Sequence, residues 1–113
     1  MQTVKIVIVG AGSGSFGRAA IADVLACTRL SEETELKLVL VDVEQTALDR
    51  MYHFSEVLKE YRRVPTQIEA TTNRRQAFCD ADYVITCVAR DRITLWEQDF
   101  YTPLTYGFRH IYG

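Results

Sequence analysis

Four short apolar segments alternate along the chain with longer amphipathic ones. Residues 4–9 and 36–41 are runs of aliphatic side chains, each with a single lysine, and residues 67–70 and 82–88 are two further candidates. Continuous apolar runs of this length are typical of strands that are buried on both faces of a parallel sheet. The pattern therefore predicts four strands.

Between the strands, apolar residues recur every three or four positions, as on one face of a helix. The first predicted helix begins at Phe16. Its apolar stripe is made of Phe16, Ala19, Ala20, Val24, Cys27 and Leu30. A second helix is predicted over residues 45–62. After the third strand, Thr72 or Asn73 could cap a short helical turn, and residues 93–100 form an amphipathic stretch before Pro103.

Strands that alternate with helices predict an α/β fold with a doubly wound parallel sheet, because such crossovers are right-handed and cover both faces. Four strands and two principal helices amount to the first half of such a sheet plus the start of the second. We therefore expect residues 1–113 to form one domain with an incomplete, truncated sheet.

A turn that contains four glycines follows the first strand, and two glycine registers compete within it. One is Gly10-x-Gly12-x-x-Ser15, and the other is Gly12-x-Gly14-x-x-Gly17. We favour the first because its turn glycine directly follows the strand. Its second glycine would let the backbone approach a pyrophosphate, and its small third residue would permit close helix packing. The N–H groups at the start of the helix would receive the phosphates.

The second strand ends on an acid, Asp42, which is placed to accept hydrogen bonds from an adenosine ribose. Its separation from Gly12 exceeds the usual spacing of about 20 residues, and a longer helix and polar connection explain the difference. Val43 and Glu44 follow it, so a 2′-phosphate would meet repulsion and no partner. The pattern predicts a Rossmann-type domain that binds NAD rather than NADP. The alternatives are a glycine turn without a ligand and a solvated or helix-capping acid.

Composition and charge narrow the class of partner. The chain is 48% hydrophobic and 25% charged with a net charge of -2, which favours an ordinary globular protein that binds neither nucleic acid nor membrane. Cys27, Cys79 and Cys87 are widely spaced and form no C-x-x-C pair. We therefore expect free, buried thiols and, without a secretory signal pattern, a cytoplasmic protein.

The loop after the fourth strand carries two arginines, Arg90 and Arg92. Ligands of doubly wound sheets bind beyond the carboxyl ends of the strands, so Arg90 is a candidate substrate-binding residue. The alternative is a solvated loop in which the arginines pair with nearby acids. His53 is expected on the outer face of the second helix, and His110 has no metal-binding context. No catalytic residue and no metal ligand is predicted.

Several segments, taken in order, resemble the amino-terminal part of the NAD-dependent family 4 glycoside hydrolases. They are KIVIVGAGS at 5–13 with Phe16, ADVL at 22–25, LVDVE at 40–44, EATTNRR at 69–75, DADYVI at 80–85 and PLTYG at 103–107. The glycine loop and its acid are shared with lactate and malate dehydrogenases. The PLTYG segment is similar to the family's I-P-L-K-Y-G and is more specific.

The resemblance implies a chemistry that differs from the two-carboxylate glycosidase scheme. In the family, bound NAD oxidises the sugar at C3, which acidifies the proton at C2. A base removes that proton, the aglycone is eliminated, water adds and the hydride returns. A divalent metal, usually manganese, is held by a Cys and a His and polarises the C2 and C3 oxygens.

The resemblance assigns nucleotide binding to the glycine loop and its acid. With Gly14 from the same loop, the predicted set is Gly10, Gly12, Ser13, Gly14, Ser15, Phe16 and Asp42. Arg90 departs from the family's R-x-G-G stretch, which argues against a 6-phospho-sugar and keeps galactosidase- and uronidase-like specificities open. The family's metal ligands and its tyrosine base lie beyond Gly113. We therefore expect the NAD-binding portion of a glycosidase, inactive alone and homo-oligomeric at full length.

Two alternatives stay open. A lactate- or malate-type dehydrogenase fragment would use Arg90 or Arg92 on a substrate carboxylate, but the chain has no G-x-P-R segment after the fourth strand. A regulatory module that senses NAD without catalysis would be complete at this length. The segment 103–113 argues against such a module, because this segment resembles a connection that leads into a further helix or strand.

Overall fold

The computed structural model describes residues 1–88 and 92–109. Nine elements follow one another, namely β1 (Gln2–Val9), α1 (Phe16–Ala26), α2 (Thr28–Glu33), β2 (Thr34–Val41), α3 (Gln45–Arg62), β3 (Gln67–Thr71), α4 (Arg74–Phe78), β4 (Tyr83–Thr86) and α5 (Arg92–Thr105). All four strands lie within two residues of their predicted ends. The predicted second helix corresponds to α3.

The four strands form one parallel sheet in the order β3-β2-β1-β4. β1 pairs with β2 from Gln2 opposite Thr34 to Val9 opposite Val41, and with β4 on its other side. The strand order therefore reverses between β1 and β4, as it does at the ligand-binding edge of doubly wound sheets. This confirms the predicted α/β class, with an incomplete Rossmann-type sheet.

The central strands are buried on both faces because successive side chains point to opposite sides. On one face, aliphatic residues pack under α1 and α3; they are Val4, Ile6, Ile8, Leu36, Leu38 and Leu40, with Ile21, Leu25, Leu48 and Met51 from the helices. On the other face, Val7, Val39 and Val41 pack against Ala77 of α4. The larger core thus fixes α1 and α3 above the strands that carry the glycine turn and Asp42.

The predicted stripe of the first helix is wrong in two respects. The helical segment breaks at Cys27, whose ψ of 100° is extended, so that α2 is a separate helix. The buried residues of α1 are Gly17, Ile21, Val24 and Leu25, whereas Phe16 is 72% exposed. Side chains of a helix tilt toward its N-terminus, so a residue in the first position projects beyond the edge of the sheet.

α5 continues past the predicted end at Phe100 and includes Pro103. A proline near the end of a helix removes one backbone N–H, and the chain leaves the helix within a few residues. Trp96 and Phe100 stack on this helix with ring centroids 5.8 Å apart. Over the described ranges, no helix is both long and apolar enough to cross a membrane.

Candidate nucleotide-binding site

The turn after β1 bonds to the end of β2. The N–H groups of Gly10 and Ala11 both donate to the carbonyl oxygen of Val41, at 2.8 and 3.0 Å. Gly10 has a φ of +84°, and a Cβ there would lie 2.5 Å from the carbonyl oxygen of Cys87. Only glycine combines this left-handed backbone with the close approach of the chain after β4.

Gly12 and Asp42 join the glycine turn to the acid. The Gly12 N–H donates to Asp42 Oδ2 at 2.9 Å, and the Glu44 N–H donates to Asp42 Oδ1 at 3.0 Å. A Cβ on Gly12 would lie 2.7 Å from the Cβ of Ala47 and 2.8 Å from Asp42 Oδ2. Each carboxylate oxygen keeps a second lone pair, so both can still accept a hydrogen bond from a ribose hydroxyl.

Close packing between helix and turn depends on Gly17 and not on Ser15, contrary to the register that we favoured. Ser15 is exposed, whereas Gly17 is buried, and a Cβ there would lie 2.5 Å from the carbonyl oxygen of Ala11. A Cβ on Gly14 would meet nothing within 4 Å. The glycines with steric demands are therefore 10, 12 and 17, so the loop combines parts of both registers.

The start of α1 presents unpaired backbone donors. Arg18 N–H bonds to the Ser13 carbonyl oxygen at 3.3 Å and Ala19 N–H to that of Ser15 at 3.1 Å. Within the described residues, the N–H groups of residues 14–17 have no acceptor. The first turn of α1 also contains no acid. Free N–H groups at the positive end of a helix are a ready site for a phosphate, so this end fits the diphosphate of a dinucleotide.

A cleft of about 470 Å³ opens at the carboxyl edge of the sheet. It is lined by Val9, Gly10, Val41, Asp42, Val43, Thr72, Asn73, Arg74, Arg75 and Val88. Gly10 and Asp42, two of the predicted nucleotide-binding residues, therefore share one cleft. Gly12, Ser13, Gly14, Ser15 and Phe16 follow Gly10 along the chain but do not line the cleft, and the ligand role of the whole set stays a prediction.

Residues 72–75 are part of this cleft, and our sequence reasoning did not include them in the site. Asn73 caps α4, because its Oδ1 accepts the N–H of Arg75 at 3.1 Å and that of Gln76 at 3.3 Å. This settles the choice between Thr72 and Asn73. The carboxyl ends of neighbouring parallel strands meet at one sheet edge, so position directly after β3 was a signal that could have found these residues.

Among the remaining candidates that the structure describes, His53 and the three cysteines do not line the cleft. Arg90 and His110 lie outside the described residues, and His53 is exposed on α3 as predicted. The three cysteines are free, but Cys27 and Cys87 are half-buried and Cys79 is exposed, which corrects the expectation of buried thiols. In the two described ranges, no group of three or more His, Cys, Asp or Glu side chains could hold a metal ion.

A parallel sheet with a switch point, a glycine turn and an acid on the neighbouring strand define a Rossmann-type fold. Comparison with known proteins refines this class. Residues 5–112 match the sequence profile of the family 4 glycosyl hydrolases. The chain therefore belongs to this family, which confirms the resemblance seen in the sequence.

Individual relatives agree. The chain is 33% identical to an alpha-glucosidase of Erwinia rhapontici over 96% of its length, and 31% identical to an alpha-galactosidase of Rhizobium meliloti over all of it. It covers 24% and 22% of those two proteins, about a quarter of their length.

A crystal structure of a 6-phospho-alpha-glucosidase from gut microorganisms, in complex with NAD and Mn²⁺, superimposes with a TM-score of 0.69 at 22% identity. The superposition covers 96% of this chain and 24% of that enzyme. This likeness supports the fold.

Proposed function

We propose that residues 1–113 form the NAD-binding portion of a glycosidase of family 4. The observation that carries the proposal is the hydrogen bond from Gly12 N–H to Asp42 Oδ2, since it joins the phosphate-binding turn to the ribose-binding acid, which lines the cleft. The resulting arrangement offers donors for a diphosphate and acceptors for a ribose, which are the two groups that every dinucleotide of this kind presents.

Each part of the site has a separate role in this proposal. Gly10 and Gly12 let the backbone approach the diphosphate, and the N–H groups of residues 14–17 donate to its oxygens. Asp42 accepts the ribose hydroxyls and orients the adenosine half. When bound, NAD would supply hydride transfer to and from the sugar. The chain's own residues thus fix the position of the cofactor.

The substrate in this proposal is a glycoside without a 6-phosphate. Arg90 stands where the family's R-x-G-G stretch is altered, and two relatives, at 33% and 31% identity, are named an alpha-glucosidase and an alpha-galactosidase, whereas a third, at 30%, is named a 6-phospho-beta-glucosidase. A divalent metal, as in the NAD and Mn²⁺ complex of the gut enzyme, belongs to the activity of the whole protein. A cytoplasmic location and a homo-oligomeric full-length protein are also part of the proposal.

The test combines nucleotide binding with isotope exchange. The full-length protein, freed of nucleotide and then given NAD and Mn²⁺, should hydrolyse a nitrophenyl glycoside without net formation of NADH. If the transient C3 oxidation operates, hydrolysis in D₂O should leave deuterium at C2 of the released sugar. Hydrolysis without NAD, or without deuterium at C2, would contradict the proposed mechanism.

The same experiment separates the alternatives. A lactate- or malate-type dehydrogenase would convert NAD to NADH in proportion to a 2-hydroxy acid substrate and would leave the glycoside intact. A regulatory module would bind NAD in calorimetry but would catalyse neither reaction. Family membership favours the glycosidase outcome, because the family match extends over residues 5–112.

A further inference from the structure

Two arginines, Arg74 and Arg75, line the same cleft as Asp42. They follow β3, which pairs with β2 along Lys37–Val41, so the chain leaves β3 beside the strand end that carries Asp42. The Asn73 cap fixes the start of α4 through two hydrogen bonds and thereby holds the backbone of both arginines at the cleft. Their position is a consequence of sheet topology and of one capping side chain.

The charges of the cleft favour an anion at this end. Among the described residues, the charged ones that line it are Asp42, Arg74 and Arg75, so this part of the lining has one more positive than negative charge. In the described ranges, ion pairs join Arg29 to Glu33 and Lys37 to Glu69. Neither cleft arginine takes part in them. The Asp42 carboxylate instead accepts backbone N–H groups through both oxygens. The two guanidinium groups are thus available to a ligand.

The residues directly after Asp42 in the sequence, Val43 and Glu44, carry no positive charge that could attract a phosphate. The structure supplies two cations from the neighbouring strand. In a Rossmann-type site the acid at the end of the second strand marks the ribose 2′-hydroxyl, and a nearby arginine is what accommodates a 2′-phosphate. Guanidinium groups bind phosphate through two parallel hydrogen bonds, which suits them to this group.

We infer that Arg74 and Arg75 bind a 2′-phosphate on the adenosine ribose, so that the cleft accepts NADP as well as NAD. The inference rests on the proposed nucleotide site and deepens it. Asp42 repels the 2′-phosphate, and the two guanidinium groups offset this repulsion. Discrimination between the two cofactors is therefore a balance of three side chains and is weaker than Asp42 alone would produce.

The experiment measures the dissociation constants of NAD and NADP for the full-length protein by calorimetry. The variants are Arg74→Gln, Arg75→Gln, the double variant and Arg62→Gln. Arg62 is an exposed arginine in the last turn of α3 and lies outside the cleft lining, so its variant is a matched control for the loss of a surface charge. Circular dichroism confirms that each variant is folded.

For the double variant we expect NADP to bind about tenfold more weakly or worse, since hydrogen bonds to a charged group are lost, and NAD to bind as before. The control should leave both constants unchanged. Raising the salt concentration should weaken NADP binding more than NAD binding in the wild type, and this difference should shrink in the double variant.

Three results would overturn the inference. If the double variant weakens NAD and NADP equally, the arginines contact the adenosine that both share. If it changes neither, they do not contact the nucleotide, although wild-type binding of NAD would leave the proposed function intact. If the wild type binds neither nucleotide, the proposed function fails and the inference fails with it.

Discussion

The carboxylate of Asp42 bonds to the backbone N–H of Gly12 at 2.9 Å, although the two residues are 30 positions apart. Asp42 Oδ1 also accepts the N–H of Glu44 at 3.0 Å. The acid that we assign to ribose binding is therefore also a structural link between the turn after β1 and the start of α3. Its removal should affect both stability and ligand binding.

Replacement of Asp42 by alanine should lower the free energy of unfolding by about 1–3 kcal/mol, because two N–H groups lose their acceptor. NAD affinity should fall as well, by about tenfold or more, since the ribose loses a charged partner. Asp42→Asn should cost less stability, because its amide oxygen still accepts one of the two N–H groups. Urea denaturation and calorimetry measure the two effects.

Asp23 provides the control for this series, since it is an exposed acid on α1 that lines no part of the cleft. Asp23→Ala should alter neither stability nor NAD affinity beyond about 0.5 kcal/mol. Wild-type affinity in Asp42→Ala would remove the ribose role from the acid.

The glycines of the turn should respond very differently to an added methyl group. Gly17→Ala places a Cβ 2.5 Å from the backbone oxygen of Ala11, so α1 must move away from the turn. We expect a loss of about 1–3 kcal/mol in stability, as for other overpacked sites, together with weaker NAD binding.

Gly14→Ala is the matched control, because its Cβ would meet nothing within 4 Å. It should leave stability unchanged or raise it slightly through the unfolded state. Thermal denaturation of both variants makes the comparison. Equal effects at the two positions would contradict the assignment of close packing to Gly17.

Asn73 should stabilise α4, and with it the wall of the cleft, because it caps the helix. Asn73→Ala removes an acceptor from the N–H groups of Arg75 and Gln76 and should cost about 1 kcal/mol. Asn73→Asp retains the acceptor and adds a charge at the helix start, so its stability should match the wild type. Hydrogen exchange at Arg75 and Gln76 reports the local effect. An aspartate variant as unstable as the alanine variant would argue against capping.

Tyr52 should make the protein sensitive to high pH. The neighbouring Glu56 carboxylate, together with partial burial, raises the pKa of Tyr52 above its ordinary value of 10.0. The folded state then holds the phenol proton longer than the unfolded state, so stability should fall as the pH rises through about 10. Urea denaturation at several pH values should show a shallower decline for Tyr52→Phe than for the wild type. Glu56→Gln should lower the pKa of Tyr52 in an NMR titration, and an unchanged pKa would exclude the charge effect.

Much of the fold was predictable because local patterns agree with the global structure. The runs at β1 and β2 are apolar on both faces, and the length of α3 follows directly from its periodicity and the proline after it. Patterns of this kind depend on the period, length and residue types of one segment and on no distant contact. The face of α1 was predicted wrongly although its buried residues Gly17, Ile21, Val24 and Leu25 have helical spacing, because the stripe was counted from the exposed Phe16 and continued past the break at Cys27.

The site was predictable where it depends on order along the chain and not where it depends on contact. A strand, a glycine turn and a distant acid are visible in one sequence, and Gly10 and Asp42 do line one cleft. The role of Gly17 was contained only in the second glycine register, and the 2.5 Å approach to Ala11 is what selects it over Ser15. Arg74 and Arg75 reach the cleft only because β3 lies beside β2, and strand neighbours are a property of topology.

The carbonyl oxygen of Val41 accepts the N–H groups of both Gly10 and Ala11. These two hydrogen bonds between the turn and β2 have a thermodynamic consequence. Hydrogen bonds link the start of the turn, Asp42 and the start of α3 before a ligand arrives. The backbone of these linked residues therefore has little freedom left to lose on association. Preorganisation of this kind lowers the entropic cost of binding. The affinity of the site for a dinucleotide should therefore depend on the rigidity of this junction as well as on the contacts that it offers.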